Sequence, residues 1–240
     1  KKYVAFGGAR GGGKSWAVRC KAKLLALRYA GIRILLVRRS LAELEANHLA
    51  FLRQELADVA EYRAGERQFR FCNGSVLQFG YCGCDRDLDR YQGAEYDVIF
   101  LDEATQLKEQ WMRQIAACVR GVNDFPKRIY YTCNPGGPGH GYIKRLFIDR
   151  RFEDGEQPED YAFIPARVTD NTALLARQPD YLKTLEALPY KLRRAWLEGR
   201  WDVFAGQVFQ EFTDDPDHYD DRRWTHVIRP FDVPREWNIY

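Results

Sequence analysis

Gly8-Ala9-Arg10-Gly11-Gly12-Gly13-Lys14-Ser15 is the stretch on which the fold turns. It fits the pattern G-x-x-x-x-G-K-S, whose glycines let the backbone wrap closely around phosphates while its amides and a helix start supply positive potential. The flanks agree: Tyr3 to Phe6 is a short apolar run that reads as a strand, and Ser15 to Tyr29 carries apolar residues at helical spacing. A strand, phosphate loop and helix in that order are predicted, with Gly8, Gly11, Gly12 and Gly13 as the cradle. Lys14 is expected to reach the β- and γ-phosphates of a nucleoside triphosphate, and Ser15 to place its hydroxyl on magnesium. Arg10 adds a long cation inside the loop, either a contact to the γ-phosphate or a solvent-facing side chain.

Further along, Val98-Ile99-Phe100-Leu101-Asp102-Glu103 is a buried strand that delivers two carboxylates at its carboxyl end, where ligands sit in open α/β sheets. Asp102 is expected to hold magnesium through its water shell, and Glu103 to accept a proton from the attacking water. Thr132-Cys133-Asn134 ends the next strand, and Asn134 is placed to sense the γ-phosphate or simply to cap the turn. The absence of Asn-Lys-x-Asp leaves nothing to favour guanine.

Between these motifs the pattern alternates. Ile32 to Val37 reads as a strand buried on both faces, Leu41 to Leu56 as a helix, and Phe69–Cys72 with Val76–Phe79 as a hairpin around Asn73-Gly74. Leu107 to Val119 reads as a helix, Ile129 to Thr132 as a strand, Tyr142 to Ile148 as a helix, and Ala162 to Ala166 as a strand. Asp180 to Leu197 reads as two short helices broken at Pro189, and Gln207 to Phe212 as a strand followed by an acidic stretch from Asp214 to Asp221, taken as a solvated linker. The fold class is therefore α/β, with a mostly parallel central sheet flanked by helices.

The 240 residues are 45% hydrophobic and 14% aromatic, enough for a substantial core, and no run suits a membrane-spanning helix. A soluble protein is expected, with no membrane partner. The net charge of +3, from 37 basic and 34 acidic residues, does not by itself announce a nucleic-acid binder. The doublets Arg38-Arg39, Lys144-Arg145, Arg150-Arg151, Arg193-Arg194 and Arg222-Arg223 read as ordinary solvated surface unless they meet phosphates. Six scattered cysteines lack the spacing of a zinc site or a disulfide scaffold.

Taken together, these residues resemble the large terminase subunit of tailed double-stranded DNA bacteriophages. The resemblance rests on Arg10 in the phosphate loop, the Asp102-Glu103 pair, the Thr132 to Asn134 coupling motif, Tyr91-Gln92-Gly93 leading into Asp97-Val98-Ile99, and Leu192-Arg193-Arg194-Ala195-Trp196-Leu197-Glu198-Gly199-Arg200-Trp201. It implies an ATPase domain of the additional-strand, catalytic-glutamate type, joined by a small lid to an RNase H-like nuclease. Residues 1–178 would then be the ATPase core, 179–206 the lid and linker, and 207–240 the start of the nuclease domain. No nuclease activity is expected of this stretch, and adenine contacts are not assigned, because only six residues precede Gly7.

The resemblance also implies ATP and magnesium as cofactors, translocation of double-stranded DNA into a capsid, a homo-oligomeric ring, portal protein and small terminase subunit as partners, and the host cytoplasm as location. In such rings an arginine of one subunit completes its neighbour's site; Arg90 is the candidate, with Arg86 behind it. Competing readings are a helicase-like ATPase, a small-molecule kinase, which would have no evident use for Glu103, and a nucleotide switch that barely hydrolyses.

Overall fold

Eight strands form one sheet in the computed structural model, which describes residues 1–203 together with Tyr219, Asp220 and Val227. In chain order the elements are β1 (Tyr3–Gly8), α1 (Lys14–Arg28), β2 (Arg33–Arg38), α2 (Leu41–Leu44), α3 (Ala50–Glu55), β3 (Ala60–Arg63), β4 (Gln68–Phe71), β5 (Val76–Tyr81), β6 (Val98–Leu101) and α4 (Glu109–Ala116). They continue with β7 (Arg128–Cys133), α5 (His140–Ile143), β8 (Tyr161–Ala166), α6 (Thr172–Arg177), α7 (Tyr181–Glu186) and α8 (Tyr190–Trp196). The spatial order is β3-β4-β5-β2-β6-β7-β1-β8. Five neighbouring pairs, from β5·β2 to β1·β8, run parallel.

Strand alternation makes the two layers. Leu35, Val37, Ile99, Leu101, Ile129 and Tyr131 point to one face, where Trp111, Met112 and Ile115 of α4 and Ile143 of α5 cover them. Ile34, Leu36, Val98 and Phe100 point to the other, against Val18, Ala22 and Leu25 of α1 and Leu44, Leu49 and Leu52 of the next helical stretch. With both faces covered, the central strands are continuous apolar runs, as a parallel sheet requires. Truncating Leu36, which is fully buried, to alanine costs about 2–5 kcal/mol.

The strand separating β6 from β1 is β7. This is the additional-strand arrangement: the strand carrying the acidic pair does not touch the strand carrying the phosphate loop.

The hairpin around Asn73-Gly74 forms as read, with Gly74 at φ 82° and Asn73 docking its amide on the Ala26 carbonyl at 2.8 Å. It does not leave the sheet, because β5 continues in parallel with β2. Strand β3, which pairs antiparallel with β4, had no signal: Ala60-Glu61-Tyr62-Arg63 is a charged edge with no apolar run. The helix read over Leu41 to Leu56 is broken by a π-helical turn, Glu45–Leu49, and that read over Tyr142 to Ile148 starts earlier, at His140, and passes into a second such turn, Lys144–Ile148. Helix α6 also had no signal; it is one and a half turns long, and its start is capped by Asn171, whose side chain accepts from Leu174 N.

Residues 1–203 belong to one compact unit. The second unit is described only at Tyr219, Asp220 and Val227, so the strand expected at Gln207 to Phe212, the acidic linker apart from Tyr219 and Asp220, and Arg222-Arg223 lie outside the described residues. Among the described residues no helix is long and apolar enough to cross a membrane.

Candidate active site

Strand β1 ends at Gly8 between β7 and β8, and the chain turns through Ala9–Gly13 into α1. Gly13 is the N-cap at φ 74° and offers no side-chain cap, so the first amides of α1 are left for a ligand. At Gly11, φ is 76° and a Cβ would lie 2.7 Å from the Tyr181 ring, so only glycine fits. Asn171 holds the loop from outside by donating its amide to the Gly11 carbonyl at 2.7 Å. Lys14 is buried and donates its Nζ to the Ala9 carbonyl at 2.5 Å. Burial lowers its pKa, against the opposing pull of Cys133, Asp102 and Glu103.

The carboxylates sit at the end of β6. Asp102 is buried, and its Oδ2 accepts from Arg38 Nε at 2.7 Å and lies 2.7 Å from His48 Nε2, while its Oδ1 accepts from the Thr132 hydroxyl. Burial pushes its pKa up, but the hydrogen bond and charge of His48, the charge of Arg38 and the Thr132 hydroxyl outweigh this and hold the carboxyl well below the usual range. An ionised Asp102 requires His48 to carry its proton on Nε2, as the donor. Glu103 stands in the left-handed region at φ 52°, which costs a non-glycine residue about 1–2 kcal/mol. Two contacts fix it: its amide donates to Thr132 Oγ1 at 2.8 Å, and its carboxylate meets Arg38 Nη2 at 3.0 Å. Thr132, on the intervening strand, thus links the backbone of Glu103 to the carboxylate of Asp102.

A family model described as terminase large subunit, T4likevirus-type, N-terminal, matches residues 5–213. The chain belongs to this family. Among solved structures it is similar to the large terminase of a thermophilic bacteriophage in complex with ADP, with a TM-score of 0.67 at 17% identity over 84% of this chain and 48% of that one. It is also similar to a variant of the large terminase ATPase domain of Thermus phage P74-26, with a TM-score of 0.59 at 16% identity over 83% of this chain and 88% of that one. The N-terminal domain of the DNA packaging ATPase of bacteriophage phi29 matches with a TM-score of 0.50 at 18% identity over 71% and 93%. At these identities the likeness establishes the fold. This terminase chain spans about half the length of the thermophilic phage protein solved with ADP, and no curated protein matches its sequence.

In the terminase chain, a cleft of about 510 Å³ brings together Arg10, Gly11, Gly12, Gly13, Lys14, Ser15, Glu103 and Asn134. Its size suits a nucleotide. Gly8 lies behind it, against Ala166 and Gly199, and Asp102 lies beneath it. Among the described residues Asn134 Oδ1 is buried without a hydrogen-bond partner, an acceptor left unused by the loop after β7. Arg10 points its guanidinium over the Trp196 ring rather than at a carboxylate. Arg90 is not at the cleft: it is half-exposed, paired with Asp87 at 2.7 Å and packed over Tyr81.

The reading of Arg38-Arg39 as solvated surface is corrected for Arg38, which is only 3% exposed, while Arg39 is exposed. Register explains it: β2 pairs with β6 so that Val37 faces Leu101, which sets Arg38 beside Asp102. The basic doublet at a strand's carboxyl end was the available signal. For His48 there was none, since its approach depends on the π-helical turn that carries it. Asn171 was also missed, lying in a stretch that sequence reading left unassigned.

Proposed function

We propose that this chain is the ATP-hydrolysing motor part of a large terminase, driving double-stranded viral DNA into a capsid from a homo-oligomeric ring in the host cytoplasm, with portal protein and small terminase subunit as partners. One observation carries the reading: the phosphate-loop lysine and Glu103 line a single cleft, with the buried Asp102 near enough to act on the charge of Lys14, in a chain of the terminase family. The thermophilic phage terminase, solved with ADP and with ATP-gamma-S, supports a nucleotide as the occupant.

The residues present suit each part of the substrate. Amides of Gly11 to Ser15 and the N-terminus of α1 receive the phosphates, and Lys14 exchanges the Ala9 carbonyl for phosphate oxygens. Magnesium fits the oxygen donors on offer, the Ser15 hydroxyl and the ionised Asp102, whose Oδ1 keeps a lone pair beyond the one given to Thr132. Bound there, the ion neutralises phosphate charge. Glu103 is half-exposed to the cleft and takes the proton of the attacking water. Helices α7 and α8, within the residues 179–206 expected to be a lid, supply Tyr181 to the cleft and Trp196 to Arg10.

The test is phosphate release from ATP with magnesium and no acceptor, with and without double-stranded DNA. Release without an acceptor, stimulated by DNA, is expected. Transfer only to an added small-molecule acceptor would overturn the reading in favour of a kinase, and tight binding with negligible turnover in assembled rings would favour a nucleotide switch.

A further inference from the structure

The segment Trp196–Trp201, which the phosphate-loop chemistry does not use, lies on the phosphate loop itself. Arg10 N donates to the Trp196 carbonyl at 2.7 Å, and the Arg10 guanidinium carbon lies 3.3 Å from the centre of the Trp196 ring. Gly199, at φ 69°, approaches so closely that a Cβ on it would stand 3.1 Å from Ala9 N and 3.2 Å from Gly8 Cα. Beyond it, Trp201 stacks on His140 at 5.3 Å and 26°, and His140 Nδ1 accepts from Gly136 N at 3.0 Å, in the loop that follows Asn134. One short segment therefore touches the phosphate loop directly and, through His140, is linked to the loop that follows Asn134.

Among the described residues Arg10 makes no ion pair, although it lines a cleft that also holds Glu103. A guanidinium lying on an aromatic face keeps the N–H donors in its plane free, and a planar, weakly hydrated cation suits that face better than an ammonium. The stack fixes the orientation of a long side chain that would otherwise lose rotamer freedom when it met a ligand.

We propose that Trp196 is a positioning residue that holds Arg10 with its donor edge free for the terminal phosphate of a nucleoside triphosphate. The inference rests on the proposed ATP reading and extends it: Trp196 never meets the nucleotide, and it acts on triphosphate and diphosphate differently because Arg10 does. The Trp196–Trp201 run then has a reason to accompany an arginine inside the phosphate loop.

Binding of ATP-gamma-S and of ADP to the 240-residue chain, each with magnesium, tests this. Trp196→Leu should lower the preference for the triphosphate by about 3- to 10-fold and leave ADP affinity nearly unchanged, while Trp196→Phe, which keeps a weaker π face, should retain most of it. In an Arg10→Ala background Trp196→Leu should change nothing further, and Arg10→Lys should not restore the preference. Equal losses for both nucleotides, or a loss that persists without Arg10, would mean that Trp196 only supports the fold, and the proposal would be overturned. If Arg10→Ala lowers the preference and Trp196→Leu does not, Trp196 alone is excluded. If Arg10→Ala leaves the preference intact, Arg10 does not read the terminal phosphate, and the proposal falls with that reading.

Discussion

Arg38 holds Glu103 at 3.0 Å through Nη2 while its Nε serves Asp102 at 2.7 Å, so one buried guanidinium spans both carboxylates of the site. A single ammonium cannot reproduce this fork. Arg38→Ala leaves Asp102 buried with fewer donors, and breaking a buried pair from one side costs about 3–5 kcal/mol. Urea unfolding of the variant should show a loss of that order. Arg38→Lys should recover part of the stability but little of the turnover, because Glu103 loses its tether. Turnover equal to the unmodified chain in Arg38→Lys would show that the contact to Glu103 is idle.

Glu103→Gln should keep ATP binding and slow hydrolysis by about 100-fold or more, since removing a general base typically costs 10² to 10⁴. Lys14→Ala should act on the other parameter, weakening nucleotide binding itself, because it removes a cation from the phosphates. Steady-state kinetics with direct binding separates the two. Near-normal turnover in Glu103→Gln would remove Glu103 from the role of base.

Acid should unfold the chain partly through Asp102. Its folded pKa is depressed, and the unfolded carboxyl titrates near about 4, so on acidification the unfolded state takes up the proton first. Stability from this group is complete above that value and is lost as pH falls toward and through the lower folded value. The unfolding free energy of the unmodified chain minus that of Asp102→Asn should therefore shrink as pH drops below about 4. A difference that stays constant down to about pH 2 would contradict the ionised, three-donor arrangement.

Much of this site was legible because its chemistry is written in contiguous runs. Gly8 to Ser15 and Val98 to Glu103 each carry an element and its functional residues together, so local pattern places both. Arg38 is different: its role depends on the register of β2 against β6, and a doublet of arginines says nothing of which strand lies alongside. His48 depends on a π-helical turn that no apolar period marks, and β3 on an edge strand held by pairing rather than burial. Trp196 was visible as a member of an unusual run, but its contact with Arg10 joins residues 186 positions apart, which only the fold can bring together.

Arg90 presents the opposite case, a residue expected to act in a neighbouring subunit's site and not in its own. It lies on the 3-10 segment Asp85–Tyr91, tied to Asp87 and stacked 4.2 Å over Tyr81. Arg90 is half-exposed, and the buried Asp87 keeps the Gly83 and Cys84 amides as donors, so releasing Arg90 toward a neighbouring subunit does not leave that carboxylate without hydrogen bonds. An arginine supplied across an interface can raise the rate by about 10³ to 10⁵ where it meets transition-state charge, so activity should climb steeply with assembly. Mixing Arg90→Ala subunits, which keep Glu103, with Glu103→Gln subunits, which keep Arg90, creates some interfaces with both groups intact. Activity of the mixed rings should exceed that of either variant alone. Demonstrably mixed rings without recovery, or full activity of Arg90→Ala by itself, would take the role from Arg90 and give it to Arg10, which already stands at the mouth of its own subunit's cleft.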